Sequence, residues 1–245
     1  MDNGVGLALE ALQRNGLVEN TVIVFTSDNG GVSAGDGKAT ANLPLRGGKG
    51  RQWEGGIREP YYIVWPGVAQ PGSTCDVPVT GADFYPTLLE MARLPLRPQQ
   101  HVDGCSLVPL LKGHRIANRP LYWHYRHYGD QGGEPSSILR RCDWKLIHYY
   151  ENGRDELYNV VADQGEQEDL ASSEPARVQS MRQQLDDWLK SVGARTPVEN
   201  PNFDAALYER QRLQTRDKTL PNLEAQAAAF LKPTYNPKRW WGSED

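Results

Sequence analysis

Apolar residues near the start of the chain recur at helical spacing. Val5, Leu9 and Leu12 share one face, and the pair Asn15-Gly16 before Leu17 is a helix stop, so the spacing predicts an opening helix. The periodicity then changes. Thr21-Val22-Ile23-Val24-Phe25-Thr26 is β-branched and apolar on both faces, the pattern of a buried parallel strand, and it runs directly into the polar turn Ser27-Asp28-Asn29-Gly30-Gly31. A helix feeding such a strand is the α/β pattern, in which ligands collect beyond the carboxyl ends of the strands. Tyr61-Tyr62-Ile63-Val64-Trp65 reads as a second apolar strand, stopped by Pro66-Gly67. Between the two strands, Val32 to Gly56 is glycine-rich, and a connection of about 25 residues inside a compact domain usually carries function. Gly81 to Arg93 reads as a helix with Phe84, Leu88 and Met91 inward, Asp83 in its first turn and Pro86 early enough to be tolerated.

From Pro120 the pattern shortens. Leu121–Tyr125, Ser137–Arg141, Trp144–Tyr149 and Glu156–Tyr158 read as brief strands linked by tight turns at Arg141-Cys142-Asp143 and Glu151-Asn152-Gly153-Arg154. They predict a small antiparallel sheet packed by a helix over Pro175–Leu189. The expected organisation is therefore an α/β part over residues 1–119, a small sheet-and-helix subdomain over 120–192, and an extended, Pro-interrupted tail over 193–245 that ends in Trp240-Trp241.

Composition narrows the classes. The 245 residues carry 27 basic and 31 acidic side chains, a formal charge of −4, which argues against nucleic acid or an anionic membrane as the main partner. With 24 glycines and 17 prolines the chain is turn-rich rather than a helical bundle. No stretch approaches the roughly 20 apolar residues that span a bilayer, and no basic-then-apolar leader marks secretion, so the chain as written is expected to stay in the cytosol. Cys75, Cys105 and Cys142 have neither C-x-x-C spacing nor even number, and suggest neither a disulfide framework nor a zinc site.

Two segments could carry chemistry. Asp28 and Asn29 place a carboxylate and an amide carbonyl at a strand end, hard oxygen donors suited to Ca²⁺ or Mg²⁺, although Asp-Asn-Gly-Gly is equally turn chemistry. Leu45-Arg46-Gly47-Gly48-Lys49-Gly50-Arg51 sets three cations among glycines, which lets Lys49 and backbone N–H groups approach a sulfate- or phosphate-like oxyanion; a mobile basic loop is the plain alternative. It is not a nucleotide P-loop, because no Ser or Thr follows the lysine and no apolar strand immediately precedes the glycines.

In order along the chain, Thr26-Ser27-Asp28-Asn29-Gly30-Gly31, Leu45-Arg46-Gly47-Gly48-Lys49-Gly50, Trp53-Glu54-Gly55-Gly56-Ile57-Arg58-Glu59-Pro60 and Trp65-Pro66-Gly67 resemble the C-terminal half of a type I sulfatase of the alkaline phosphatase superfamily. Asp83-Phe84-Tyr85-Pro86-Thr87-Leu88-Leu89, Asp103-Gly104-Cys105-Ser106-Leu107, Asp143-Trp144-Lys145-Leu146-Ile147 and Glu156-Leu157-Tyr158-Asn159 continue the resemblance to about residue 190. It implies a partial alkaline-phosphatase-like sheet with helices, followed by a small subdomain that walls the substrate pocket. It also implies Asp28 and Asn29 as ligands of Ca²⁺, and Lys49 as the bridge between the sulfate and a formylglycine nucleophile. Arg58 is expected to be structural, pairing with Glu54 or a strand-end carbonyl. His124, His127, Tyr125 and Tyr128 alternate aromatic and polar groups at a strand end, able to stack on a sugar and hydrogen-bond its hydroxyls or simply to pack the small sheet; His127 and Tyr128 are the better contacts.

The sequence departs from the family's pattern: it lacks the paired aspartates of the family's first strand, the lysine and histidine groups from the middle of the parent chain, and the nucleophile. The formylglycine precursor is Cys or Ser with Pro two residues and Arg four residues later, and no cysteine here fits. Ser173-Glu174-Pro175-Ala176-Arg177 has the bare spacing but follows the metal pair, and it reads as a helix start with a hydroxyl cap. The expectation is a Ca-dependent sulfatase-family hydrolase acting on sulfated carbohydrate, present as a C-terminal fragment inactive alone, with a missing N-terminal half as partner. A non-catalytic carbohydrate-binding module and a phosphoesterase of the same superfamily are the alternatives. Parent enzymes of this type are generally exported.

Overall fold

The computed structural model describes residues 2–32, 41–129, 132–219 and 221–222. Part of the glycine-rich stretch, Asp130 and Gln131 of the loop after Tyr128, and Trp240-Trp241 lie outside them. The helices are α1 (Asp2–Arg14), α2 (Glu54–Ile57), α3 (Phe84–Met91), α4 (Val108–Leu111), α5 (Pro175–Ser191) and α6 (Ala205–Gln214). The strands are β1 (Ile23–Thr26), β2 (Tyr61–Val64), β3 (Leu121–Tyr125), β4 (Ser136–Arg141), β5 (Trp144–Tyr149) and β6 (Asp155–Asn159).

The opening helix and first strand form where the periodicity placed them, but the strand's surroundings differ from expectation. β1 pairs antiparallel with β2, Ile23 opposite Val64 and Thr26 opposite Tyr61, rather than lying as a buried parallel strand. Phe25 is exposed, Tyr62 and Val64 keep 64% and 52% of their surface, and α1 buries none of its residues. The reason is physical: among the described residues β1 has only β2 beside it and α1 buries nothing against it, so side chains patterned for two-sided burial stay in solvent.

α3 also turns differently. Pro86 and Thr87 are its buried residues, whereas Phe84 and Leu88, expected inward, are exposed. A polar knot decides the face. Thr87 Oγ1 donates to the Asp83 carbonyl at 2.6 Å and accepts from the Leu107 N–H at 2.9 Å, while the buried Asp83 carboxylate accepts from the Cys105 N–H at 2.9 Å and pairs with Arg119.

The second unit is a meander, β3-β4-β5-β6, with every neighbour antiparallel. Its tightest corner is Cys142-Asp143, between the paired residues Arg141 and Trp144, with Cys142 at φ +52° in the left-handed region that such two-residue turns require. Alternation along the strands then builds two faces. Leu139, Leu146 and Leu157 pack on Met181, Leu185 and Leu189, the i, i+4, i+8 stripe of α5. Ile138, Ile147, Tyr149 and Tyr158 look the other way, onto Trp53 and Ile57. The sheet is thus covered on one side by a helix and on the other by the glycine-rich loop with α2. Each fully buried leucine contributes about 1.5–3 kcal/mol relative to exposure, so this sheet is the stable centre of the described chain.

α5 begins at Pro175 as expected, but Ser173 does not cap it; its hydroxyl donates back to the Leu170 carbonyl at 3.1 Å. The tail is not wholly extended. Asp204 accepts the Leu207 N–H at 2.9 Å and starts α6, which buries no residue.

Candidate active site

Two loops meet at the carboxyl end of β1. Asn42 joins them, donating through Nδ2 to the carbonyls of Gly31 at 2.8 Å and Gly47 at 3.1 Å, and accepting the Gly31 N–H at 3.2 Å. The Lys49 N–H donates to the Gly31 carbonyl at 3.1 Å, and the Gly30 N–H to the Gly56 carbonyl at 3.1 Å. Gly30 has no room for a side chain, because a Cβ there would collide with the Gly55 carbonyl oxygen. Asp28 and Asn29 are therefore held two and one residues from a backbone joint at Gly30 with the loop that carries Lys49. Asp28 and Lys49 are exposed, and Asn29 is half-buried.

The lysine loop is fastened to the small sheet along its length. Arg46 stacks on the Trp53 ring at 3.8 Å and donates to the Glu166 carbonyl at 2.8 Å and to Tyr158 Oη at 3.3 Å. Arg51 donates to the Gly132 carbonyl at 2.5 Å, Gln52 to the Glu134 carbonyl at 2.6 Å, and Trp53 Nε1 to Glu156 at 3.3 Å. Glu54 is the centre. Its N–H donates to Glu166 Oε2 at 2.6 Å, and its buried carboxylate meets Arg140 at 2.8 Å and Lys145 at 3.2 Å. Glu54 therefore does not pair with Arg58, whose side chain is exposed; the partner expected for it is taken by two sheet cations that point at the loop.

The candidate substrate residues divide. His127 and Tyr128 are exposed beside the turn that returns from the Gly133 carbonyl to the Gly129 N–H at 2.9 Å. That turn lies on the lysine loop, close enough that a Cβ on Gly133 would collide with the Gly50 carbonyl oxygen. His124 is different. One ring nitrogen is 2.7 Å from Ser137 Oγ and the other 3.0 Å from the Arg195 carbonyl, so both nitrogens are engaged within the chain. Tyr125 packs edge-on against His127 at 5.8 Å.

Glu59 was not foreseen as part of this strand end. Its carboxyl is held above the usual carboxylate range, first by burial and then by the negative charge of Asp28, and its buried Oε1 has no hydrogen-bond partner among the described residues. Asn42, Lys145 and Glu166 were also missed. A signal existed for Lys145. In Trp144-Lys145-Leu146-Ile147 it holds the position that alternates in step with the inward Ile147 and Tyr149.

As a calcium site the residues are incomplete. Asp28 and Asn29 offer the right donor chemistry, but Ca²⁺ takes roughly six to eight oxygens. Among the described residues no group of three or more His, Cys, Asp or Glu side chains could hold a metal ion. The arrangement can present an ammonium and glycine-rich backbone to an oxyanion at the end of a strand, beside a loop bearing exposed aromatic and imidazole groups.

Comparison with known proteins decides the lineage. A family model described as "N-sulphoglucosamine sulphohydrolase, C-terminal" matches residues 49–194, and one described as "Sulfatase" matches residues 1–94. The chain belongs to the sulfatase family. A sulfatase of Formosa agariphila is 34% identical over 235 residues, covering 86% of this chain and 42% of that protein. Arylsulfatase A of Homo sapiens is 37% identical over 131 residues, 54% of this chain and 25% of that enzyme. Among solved structures, Ps i-CgsB in complex with k-i-k-neocarrahexaose superposes with a TM-score of 0.68 at 28% identity, over 94% of this chain and 48% of that one. BT4656 in complex with its substrate D-glucosamine-2-N,6-O-disulfate gives 0.63 at 26%, over 77% and 38%. The mixed α/β architecture is that of sulfatases with the alkaline-phosphatase-like fold, and the chain spans less than half the length of these relatives.

Proposed function

We propose that this chain is the part of a sulfated-carbohydrate sulfatase that supplies the sulfate-binding lysine and one wall of the sugar pocket. The observation that carries the reading is the joint between Lys49 and Gly31, with the Gly129–Gly133 turn against Gly50 on the other side. It ties the backbone of Lys49 to the strand end that carries Asp28 and Asn29, with Gly133 against the same loop. Two solved proteins of similar structure hold a neocarrahexaose and a disulfated glucosamine, which supports carbohydrate as the substrate class.

Within that reading the residues act as follows. The Lys49 ammonium holds a sulfate oxygen and stabilises the negative charge that grows on it as the ester bond breaks. Tyr128 presents an aromatic face to the sugar, and His127 donates to or accepts from a hydroxyl. Asp28 and Asn29 would contribute two oxygen ligands to Ca²⁺, which when bound polarises the sulfate; the remaining ligands, and the formylglycine nucleophile that the family implies, come from residues other than those described. None of the three cysteines has the Pro and Arg spacing that formylglycine formation needs. The chain is therefore inactive by itself, because members of a catalytic unit do not contribute independently.

The test is sulfate release from a sulfated oligosaccharide by the chain alone and by the chain joined to the region of a relative that it does not match. The alone sample is expected to release nothing. The joined protein is expected to turn over, and Lys49→Ala in it to lose about 10²–10³-fold in kcat while leaving stability within about 0.5 kcal/mol. Full turnover by the Lys49→Ala protein contradicts the assignment. Glycan binding that survives Lys49→Ala, without any release, would instead support a carbohydrate-binding module.

A further inference from the structure

A charged cluster built around the buried Lys145, Glu54 and Glu166 lies beneath the lysine loop and belongs to neither the substrate face nor the hydrophobic core. Lys145 on β5 is completely buried, and its Nζ is 2.9 Å from Glu166 Oε1 and 3.2 Å from Glu54 Oε1. Arg140, cross-strand from Lys145, closes the group at 2.8 Å from Glu54 Oε2. Two cations face two carboxylates, so the cluster is neutral as a set and charged if any member is removed.

The geometry points to Lys145 as the positioning residue of the oxyanion loop, acting through Glu54 and Glu166. Both carboxylates bear on that loop's main chain. Glu54 is part of it, and Glu166 accepts the Glu54 N–H at 2.6 Å while its own carbonyl accepts Arg46 at 2.8 Å. The Arg46 carbonyl in turn accepts the Gly55 N–H at 2.8 Å, and Lys49 lies inside the loop so closed. Glycines give residues 47–56 little intrinsic stiffness. A buried ion cluster has a stringent geometric optimum, because each charge taken from water must find its partner. Lys145 therefore converts the rigidity of the sheet into a fixed place for Lys49 without touching the anion. This inference rests on Lys49 being the sulfate contact for its functional meaning, but the loop's rigidity can be read independently of sulfate.

The experiment is peptide-resolved hydrogen exchange on dilute full-length chain, with inorganic sulfate titrated against the NMR signals of Lys49 in parallel. Lys145→Met leaves Glu54 and Glu166 with one cation between them, and exchange over 46–56 is expected to accelerate at least about tenfold while β4 and β6 keep their protection. Adding Glu166→Gln to Lys145→Met restores neutrality and keeps an acceptor for the Glu54 N–H, so it is expected to recover much of the protection. The sulfate response at Lys49 should weaken and return in step. Unchanged exchange over 46–56, or acceleration spread evenly over the sheet without rescue by the second substitution, overturns the inference. Should Lys145→Met not fold, Lys145→Gln, which removes the charge but keeps a donor, is expected to loosen the same segment, and its failure to do so counts equally against it. Absence of any sulfate response at Lys49 in the unaltered chain would sink the oxyanion reading, while the exchange data still decide whether Lys145 holds the loop.

Discussion

Glu166 shows what one residue contributes here. Burial raises its carboxyl above the ordinary 4.5, with the neighbouring Lys145 charge and the Glu54 N–H pulling the other way. The folded state therefore binds this proton more tightly than the unfolded chain does. The contribution to stability is fully present below pH 4.5 and is lost as pH rises through the folded value. Denaturation midpoints collected across the window above pH 4.5 should fall with rising pH in the unaltered protein and fall less in Glu166→Gln; parallel slopes would contradict this. Sequence showed Lys49 and the Asp28-Asn29 pair because glycines and a strand end mark them locally. It could not show Glu166, whose partners Lys145 and Glu54 lie 21 and 112 residues away, nor that Glu54 would prefer Arg140 to Arg58. Likewise nothing near His124 in the sequence announces that Ser137 and Arg195 occupy its ring.

At the scale of elements, the small sheet is the part that the hydrophobic pattern specifies best. Its strands alternate cleanly, its turns carry their own chemistry, and β3 and β5 fall where the alternation put them. Leu185 has no exposed surface and sits in the middle of the α5 stripe against Leu139, Leu146 and Leu157. Leu185→Ala should cost about 2–5 kcal/mol by combined transfer and cavity terms, seen as a lower denaturation midpoint at unchanged slope. A loss below about 0.5 kcal/mol would mean that this face does not carry the fold. β1 and α3 were misread in orientation for one shared reason: apolar periodicity identifies which residues seek burial but not what is available to bury them. Around α3 the polar group Asp83, Thr87 and Arg119 outweighs Phe84 and Leu88 in choosing the inward face.

For the whole molecule, the contrast between the two units is the main physical fact. The sheet subdomain is closed on both faces, while α1, β1, β2 and α3 leave Leu7, Leu9, Phe25, Tyr62, Val64 and Leu88 in solvent. An apolar surface of this extent, beside a strand edge that no described strand covers, promotes association. Light scattering is expected to show concentration-dependent self-association of the isolated chain, relieved when the region present in its relatives but unmatched here is attached. A monodisperse monomer at high concentration would contradict that. The most direct trial of the central idea is anomalous diffraction from crystals of the chain joined to the region of a relative that it does not match, soaked with calcium and selenate, a heavy sulfate mimic. The expected result is a selenate peak at the Lys49 ammonium with calcium at Asp28 and Asn29; a selenate held elsewhere, or Lys49 and Asp28 aimed into separate regions, would contradict the account.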